Sequence, residues 1–230
     1  MKTKSPPNQS SPVTTLDDLP IRIFVHCPNE NIVTFNQIKP HSTINEIKSQ
    51  LELRTGILAE LQSLYFSNVK LEDGRTLHEK HIKNGSVLRI KIKERSLQQI
   101  YTTSCQGNVA EVFQLGVEYI DDDSMSDDFD PNEENSIPNH VKAWNSFVPL
   151  RAFQALFAAS YSGHLDLLTK LVEHAAANIG MLTKNRHSLL HVSAFNGHLP
   201  CVSYLLSKGA DPKLADLDGN DTFLLYSISI

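Results

Sequence analysis

The sequence predicts an α+β chain: a small mixed sheet crossed by one helix over residues 20–94, followed by an all-α solenoid that fills most of the remainder. Three observations predict it. Apolar residues alternate, then recur at helical spacing, then alternate again between Ile21 and Ile92. A Gly-His pair followed by an apolar helical pattern stands at Gly163 and again 34 residues later at Gly197. Ten of the 26 acidic residues fall between Ser96 and Val141, a stretch with no Lys or Arg, while the other 184 residues hold 21 basic against 16 acidic side chains. A solvated acidic segment therefore separates two mildly basic parts, and neither is basic enough to mark a nucleic-acid binder.

The bulk composition is that of a folded protein. With 40% of 230 residues hydrophobic, the chain can build one or two cores, which excludes collagen-like and wholly disordered classes. No apolar run approaches the roughly 18 to 20 residues that cross a bilayer, so no membrane role is expected. Residues 1–19 are rich in Pro, Ser, Thr and Asn, lack the apolar stretch of a signal peptide, and read as a disordered tail of a cytoplasmic or nuclear protein. Cys27, Cys105 and Cys201 are odd in number and far apart, a pattern that suits neither a disulfide framework nor a zinc module.

In the first unit, Ile21, Ile23 and Val25 alternate with polar neighbours as a half-buried strand, Cys27 to Asn31 is turn material, and Ile32 to Ile38 returns as a second strand. The second strand is apolar at Val33, Phe35 and then Ile38, and one extra residue near Asn36 or Gln37, a bulge, restores its register. Thr43-Ile-Asn-Glu46 has the form of a capping box, with Ile44, Ile47 and Leu51 at helical spacing behind it and Gly56 placed to end the helix. Leu61 to Phe66 and Val87 to Ile92 supply further strands. This order is that of a β-grasp fold.

The run Leu71-Glu-Asp-Gly-Arg-Thr-Leu77, with Ile21-Arg-Ile-Phe-Val25 and Thr43-Ile-Asn-Glu-Ile47, resembles ubiquitin across the whole unit, and the seven-residue run is the ubiquitin sequence unaltered. The departures bear on function. Where ubiquitin ends in a diglycine that an activating enzyme adenylates, this chain continues through Lys91-Ile-Lys-Glu-Arg-Ser96, so conjugation as a modifier is not expected. At the positions matching ubiquitin's apolar docking patch stand Tyr65, Arg89 and Lys91, a more cationic surface that is either a partner patch or an ordinary sheet face. Val69 and Asn84 occupy two of the positions where ubiquitin carries chain-building lysines.

In the second unit, each copy reads as two short helices joined at a Gly, with a turn such as Lys208-Gly-Ala-Asp-Pro212 after the second. This resembles the ankyrin repeat. Ser188-Leu-Leu-His191 stands for its Thr-Pro-Leu-His tetrapeptide, Gly209-Ala-Asp211 and Asp218-x-Asn220 for the hairpin between repeats, and Gly163-His164 and Gly197-His198 for the helix junctions. Repeats are placed at 150–183 and 186–217, with an incomplete copy at 218–230. Ile100 to Leu115 aligns without a gap to Leu156 to Leu171, so a degenerate helix pair is expected at 97–117, with 118–140 as an acidic disordered insertion between repeats. Ending at Ile230, the array leaves Phe223, Leu225, Tyr226, Ile228 and Ile230 without a following helix. At roughly 1.5 to 3 kcal/mol for each unburied large side chain, the end is expected to fray, to associate with another chain, or to belong to a shortened form of a longer array.

Candidate chemistry is weak throughout. Cys201 falls where the preceding copy has Leu167, Cys105 lies at a helix end, and His164, His191 and His198 belong to the repeat pattern, so all five are expected to be structural. His78-x-x-His81 has ligand-like spacing but no second pair nearby. There is no phosphate loop, nucleophile elbow or His-Glu-x-x-His motif. Ser124 and Ser126, beside carboxylates, fit acidophilic kinase sites, and the acidic run is either a docking tail or simply solvated. The resemblance implies a non-catalytic adaptor without metal or cofactor. Its ubiquitin-like unit docks on proteins, receptors of the ubiquitin pathway among them, and its hairpin tips and inner helices hold a second protein. The alternatives are a modifier precursor cleaved after the β-grasp unit and an enzyme with ubiquitin-like targeting.

Overall fold

The computed structural model describes residues 19–117, 139–175 and 178–229. Nearly all of the expected tail, nearly all of the expected acidic insertion with Ser124 and Ser126, and Ile230 lie outside the described residues. No described helix is long and apolar enough to cross a membrane.

Strands β1 (Ile21–His26) and β2 (Ile32–Ile38) pair antiparallel. Ile21 faces Ile38 while Ile23 faces Phe35, so Asn36 and Gln37 together oppose Arg22. That bulge turns both Phe35 and Ile38 into the core. Helix α1 (Ile44–Thr55) begins with a reciprocal cap: the Glu46 amide donates to Thr43 Oγ1 at 3.2 Å and the Thr43 amide to Glu46 Oε2 at 3.4 Å. It ends at Gly56, whose φ of 71° is left-handed. After a single 3-10 turn at Ala59–Leu61 come β3 (Gln62–Phe66), β4 (Val69–Lys70) and β5 (Ser86–Ile92). The sheet order is β2-β1-β5-β3-β4, with β5 parallel to β1 and antiparallel to β3. Ile44, Ile47 and Leu51 of α1 are buried with Ile23, Val25, Leu64, Leu88 and Ile90 of the sheet. The run 71–77 has a structural task here, since the carbonyls of Arg75 and Asp73 accept the amides of Ile44 and Asn45 in the first turn of α1.

The helical part is α2 (Arg95–Cys105), α3 (Val109–Gln114), α4 (Asn139–Ser162), α5 (Leu165–His174), α6 (Leu189–Phe195), α7 (Leu199–Ser207) and α8 (Thr222–Ser229). It stacks in two layers. First helices α2, α4, α6 and α8 lie side by side, as do second helices α3, α5 and α7. Helix α4 starts at Asn139, eleven residues before the expected start of the repeat at 150 and inside the expected insertion, and it runs through Pro149. Its packing along α2, with Val148 and Ala152 fully buried, outweighs the hydrogen bond that Pro149 cannot make.

Of the one or two cores that the composition allows, the described residues form one continuous apolar core, which runs from the sheet through α1 into α2, α4, α5, α6 and α7.

Candidate interaction surfaces

The seam between the two units is built from the end of α1. The last carbonyls of a helix lack partners within it, and here the array supplies them. Asn196 Nδ2 donates to the Leu53 carbonyl at 2.9 Å, Tyr101 Oη to that of Thr55 at 2.9 Å, and Gln154 Nε2 to that of Gly56 at 2.7 Å. Gln154 Oε1 also accepts the Leu58 amide at 3.1 Å. Beside them Glu52 and His187, both almost fully buried, meet at 2.7 Å through Oε1 and Nδ1. The other Glu52 oxygen accepts the Ala59 amide at 2.6 Å, and His187 Nε2 lies 3.7 Å from Asp216 Oδ2. A buried polar pair held in this way needs each of its partners. Helix α1 therefore lies on the array's first helices and on the turn that carries His187. Of those first helices, α1 packs against α4 and α6.

None of Glu52, Tyr101, Gln154, His187 or Asn196 stood out in the sequence. A signal was present at Glu52, which sits between Leu51 and Leu53, and at Gln154, inside the apolar run Ala152-Phe-Gln-Ala-Leu-Phe157. Polar residues on an apolar face ask for buried partners, but the pattern does not say which partners those are.

The repeat residues form a ladder. His164 Nε2 donates to the Cys105 carbonyl at 2.8 Å, and His198 Nε2 repeats this one step on, to Tyr161 at 2.7 Å. Each ring covers the glycine of the preceding copy: a Cβ on Gly107 would sit 2.8 Å from the His164 ring, and one on Gly163 would sit 2.5 Å from the His198 ring. Gly197 has the same left-handed backbone with open space around it. His191 accepts the Ser188 amide on Nδ1 at 3.0 Å and donates from Nε2 to the Leu214 carbonyl at 3.0 Å, which fixes a neutral tautomer and ties two turns together. Gly209 takes a φ of 89°, and Asp211 accepts the Lys213 amide at 2.9 Å in the turn after α7.

The outer face of the sheet is open. Strand register sets Ile32, His26, Arg89, Tyr65 and Lys70 in one transverse row across all five strands. Lys91 extends its ammonium over the Tyr65 ring, 5.0 Å from the centroid. The structure thus brings Tyr65, Arg89 and Lys91 together, with exposed Val87 alongside. None of the five strands contains an Asp or Glu.

Nucleophiles are poorly placed. Burial pushes the Cys27 thiol up to about 12 and also raises Cys105 and Cys201, which weakens all three as thiolates. His78 packs its ring against that of His41 at 5.5 Å, and no metal-binding cluster occurs among the described residues. In α8, Leu225 was expected to lack cover but is buried, because α8 packs against α6; Phe223 remains 79% exposed.

Comparison with known proteins accounts for both parts. Residues 23–95 match the ubiquitin family and residues 135–228 match ankyrin repeats (3 copies). Over 62 residues the chain is 36% identical to alpha-latrocrustotoxin-Lt1a of Latrodectus tredecimguttatus, which covers 27% of this chain and 4% of the toxin. Over 59 residues it is 34% identical to the serine/threonine-protein kinase TNNI3K of Mus musculus, which covers 26% of this chain and 7% of the kinase. The chain thus spans under a tenth of either relative. Its fold and these matches together identify it as a ubiquitin-family domain joined to ankyrin repeats.

Proposed function

We propose that this protein is a non-catalytic adaptor of the cytosol or nucleus that presents the outer sheet face of its ubiquitin-like domain to an acidic protein partner. The observation that carries this reading is the carboxylate-free sheet with Arg89, Lys91 and Tyr65 at its centre, since a cationic face steers and selects partners of opposite charge. The helix pair α2–α3 acts as the first repeat of the array, because His164 seats on Gly107 just as His198 seats on Gly163. A covalent modifier is a poorer reading. Beyond β5 the chain has no diglycine and enters α2 at once, with Leu97 buried.

The test is affinity capture with the intact protein and with the variant Arg89→Glu/Lys91→Glu, at low and high salt. Partners of the sheet face are lost from the variant and weakened by salt. A set of bound proteins unchanged by both would contradict the proposal.

A further inference from the structure

The outer sheet face concentrates positive charge at one point. Tyr65 on β3 stands directly opposite Arg89 of β5 on one side and Lys70 of β4 on the other. Directly opposed side chains start roughly 5 Å apart. Lys91, two residues along β5, starts about 7 Å from Arg89 and holds its ammonium over the Tyr65 ring. Lys70, Arg89 and Lys91 are exposed, and among the described residues none of the three is in an ion pair. Three like charges therefore crowd round one partly exposed ring.

The acids of residues 19–94 do not relieve that charge. Glu60 pairs with Lys184, Asp73 with Lys48, and Glu72 and Glu79 with Arg75. Glu46 caps α1, and Glu52 is buried in the seam. Only Glu30, in the turn after β1, and Glu94, beyond β5, are left, and neither is on a strand. Like charges held together cost free energy, and a ligand with more than one negative charge recovers most of it. A carboxylate brings one charge and two acceptor oxygens. A phosphate monoester brings about 1.5 to 2 charges at pH 7 and three acceptor oxygens, enough to meet the fork of Arg89, both ammonium groups and the Tyr65 hydroxyl together.

We propose that the partner of this face is a phosphorylated protein segment, with the phosphate of a phosphoserine seated among Lys70, Arg89 and Lys91 at Tyr65. Charge complementarity selects that occupant, since the cluster holds three cations and the sheet carries no carboxylate. The inference rests on the outer sheet face being the docking surface, and it adds which negative group that face selects.

The test is a fluorescence anisotropy titration of the intact protein with three blocked, labelled nonapeptides. All three carry two flanking Asp residues and differ only at the centre, which is phosphoserine, Glu or Ser. The phosphoserine peptide should bind the unaltered protein about tenfold or more tightly than the Glu peptide, a comparison that needs no variant to fold. Arg89→Gln and Lys70→Gln should each weaken the phosphoserine peptide about threefold to tenfold and narrow its lead over the Glu peptide. Arg54→Gln, outside the face, should leave the affinity within about twofold. Equal binding of the phosphoserine and Glu peptides, both lost with Arg89→Glu, would overturn the phosphate preference and leave the sheet face as the docking surface. No binding of any peptide at millimolar concentration would overturn both. Tight phosphoserine binding that neither Arg89→Gln nor Lys70→Gln weakens would place the site elsewhere and overturn the proposal.

Discussion

Gly163 and Gly197 take the same φ of 74°, yet a side chain at each meets different surroundings. Alanine at Gly163 combines left-handed strain with a contact against the His198 ring and should cost about 2 to 4 kcal/mol. At Gly197, where the space is open, Gly197→Ala should cost about 1 to 2 kcal/mol. Urea midpoints of the two variants check the difference, and equal costs would mean that the ring does not seat on the glycine. His191 gives a pH prediction. Burial, and then the neighbouring His187, lowers its pKa from the usual imidazole value. The unfolded chain therefore takes up the proton first, below about pH 6.5. The stability due to His191 is complete above that pH and is lost as pH falls through the depressed folded value, by at most about 1.4 kcal/mol per pH unit. Unfolding measured from pH 7.5 downward should show this slope, and His191→Gln should flatten it by one proton.

At the scale of elements, α1 is the piece on which both units depend. Glu52→Ala leaves His187 buried without its partner and should destabilise the protein by about 3 to 5 kcal/mol, with His187→Ala similar. Because the two groups touch, the double variant should cost less than the sum, with a coupling of about 1 to 3 kcal/mol. Strict additivity in chemical denaturation would show that the pair is not formed. Much of this element was legible in the sequence. Thr43, Glu46 and Gly56 mark its ends and Ile44, Ile47 and Leu51 mark its sheet-facing stripe, because those signals are local. The bulge at Asn36 and Gln37 was legible for the same reason, from a broken alternation. The second face of α1 was not, since Glu52, Tyr101, Gln154, His187 and Asn196 meet across separations of up to 143 residues that no local period records. The sheet patch was half legible: Tyr65, Arg89 and Lys91 follow from the resemblance, whereas the full row from Ile32 to Lys70 needs the strand register. Helix α4 begins eleven residues before the repeat expected at 150 and runs through Pro149, which its packing along α2 tolerates and no local period records.

At the scale of the whole molecule, α1 is bound by the chain's own array, through its first helices α4 and α6. Cutting after residue 94 removes the donors to the carbonyls of Leu53, Thr55 and Gly56, at about 1 kcal/mol for each bond. Amides of α1 should consequently exchange with solvent faster in the isolated ubiquitin-like fragment than in the intact chain. Equal protection would place the stability of α1 within its own domain. Partner capture with separated halves is for the same reason a poor guide to the intact surfaces, since it bares the seam. The central claim, that the two families of structure form one folded body, is tested most directly by calorimetric unfolding of the intact protein. A single transition with calorimetric and van't Hoff enthalpies in agreement is the predicted result; two resolved transitions, with the ubiquitin-like domain melting apart from the array, would contradict it.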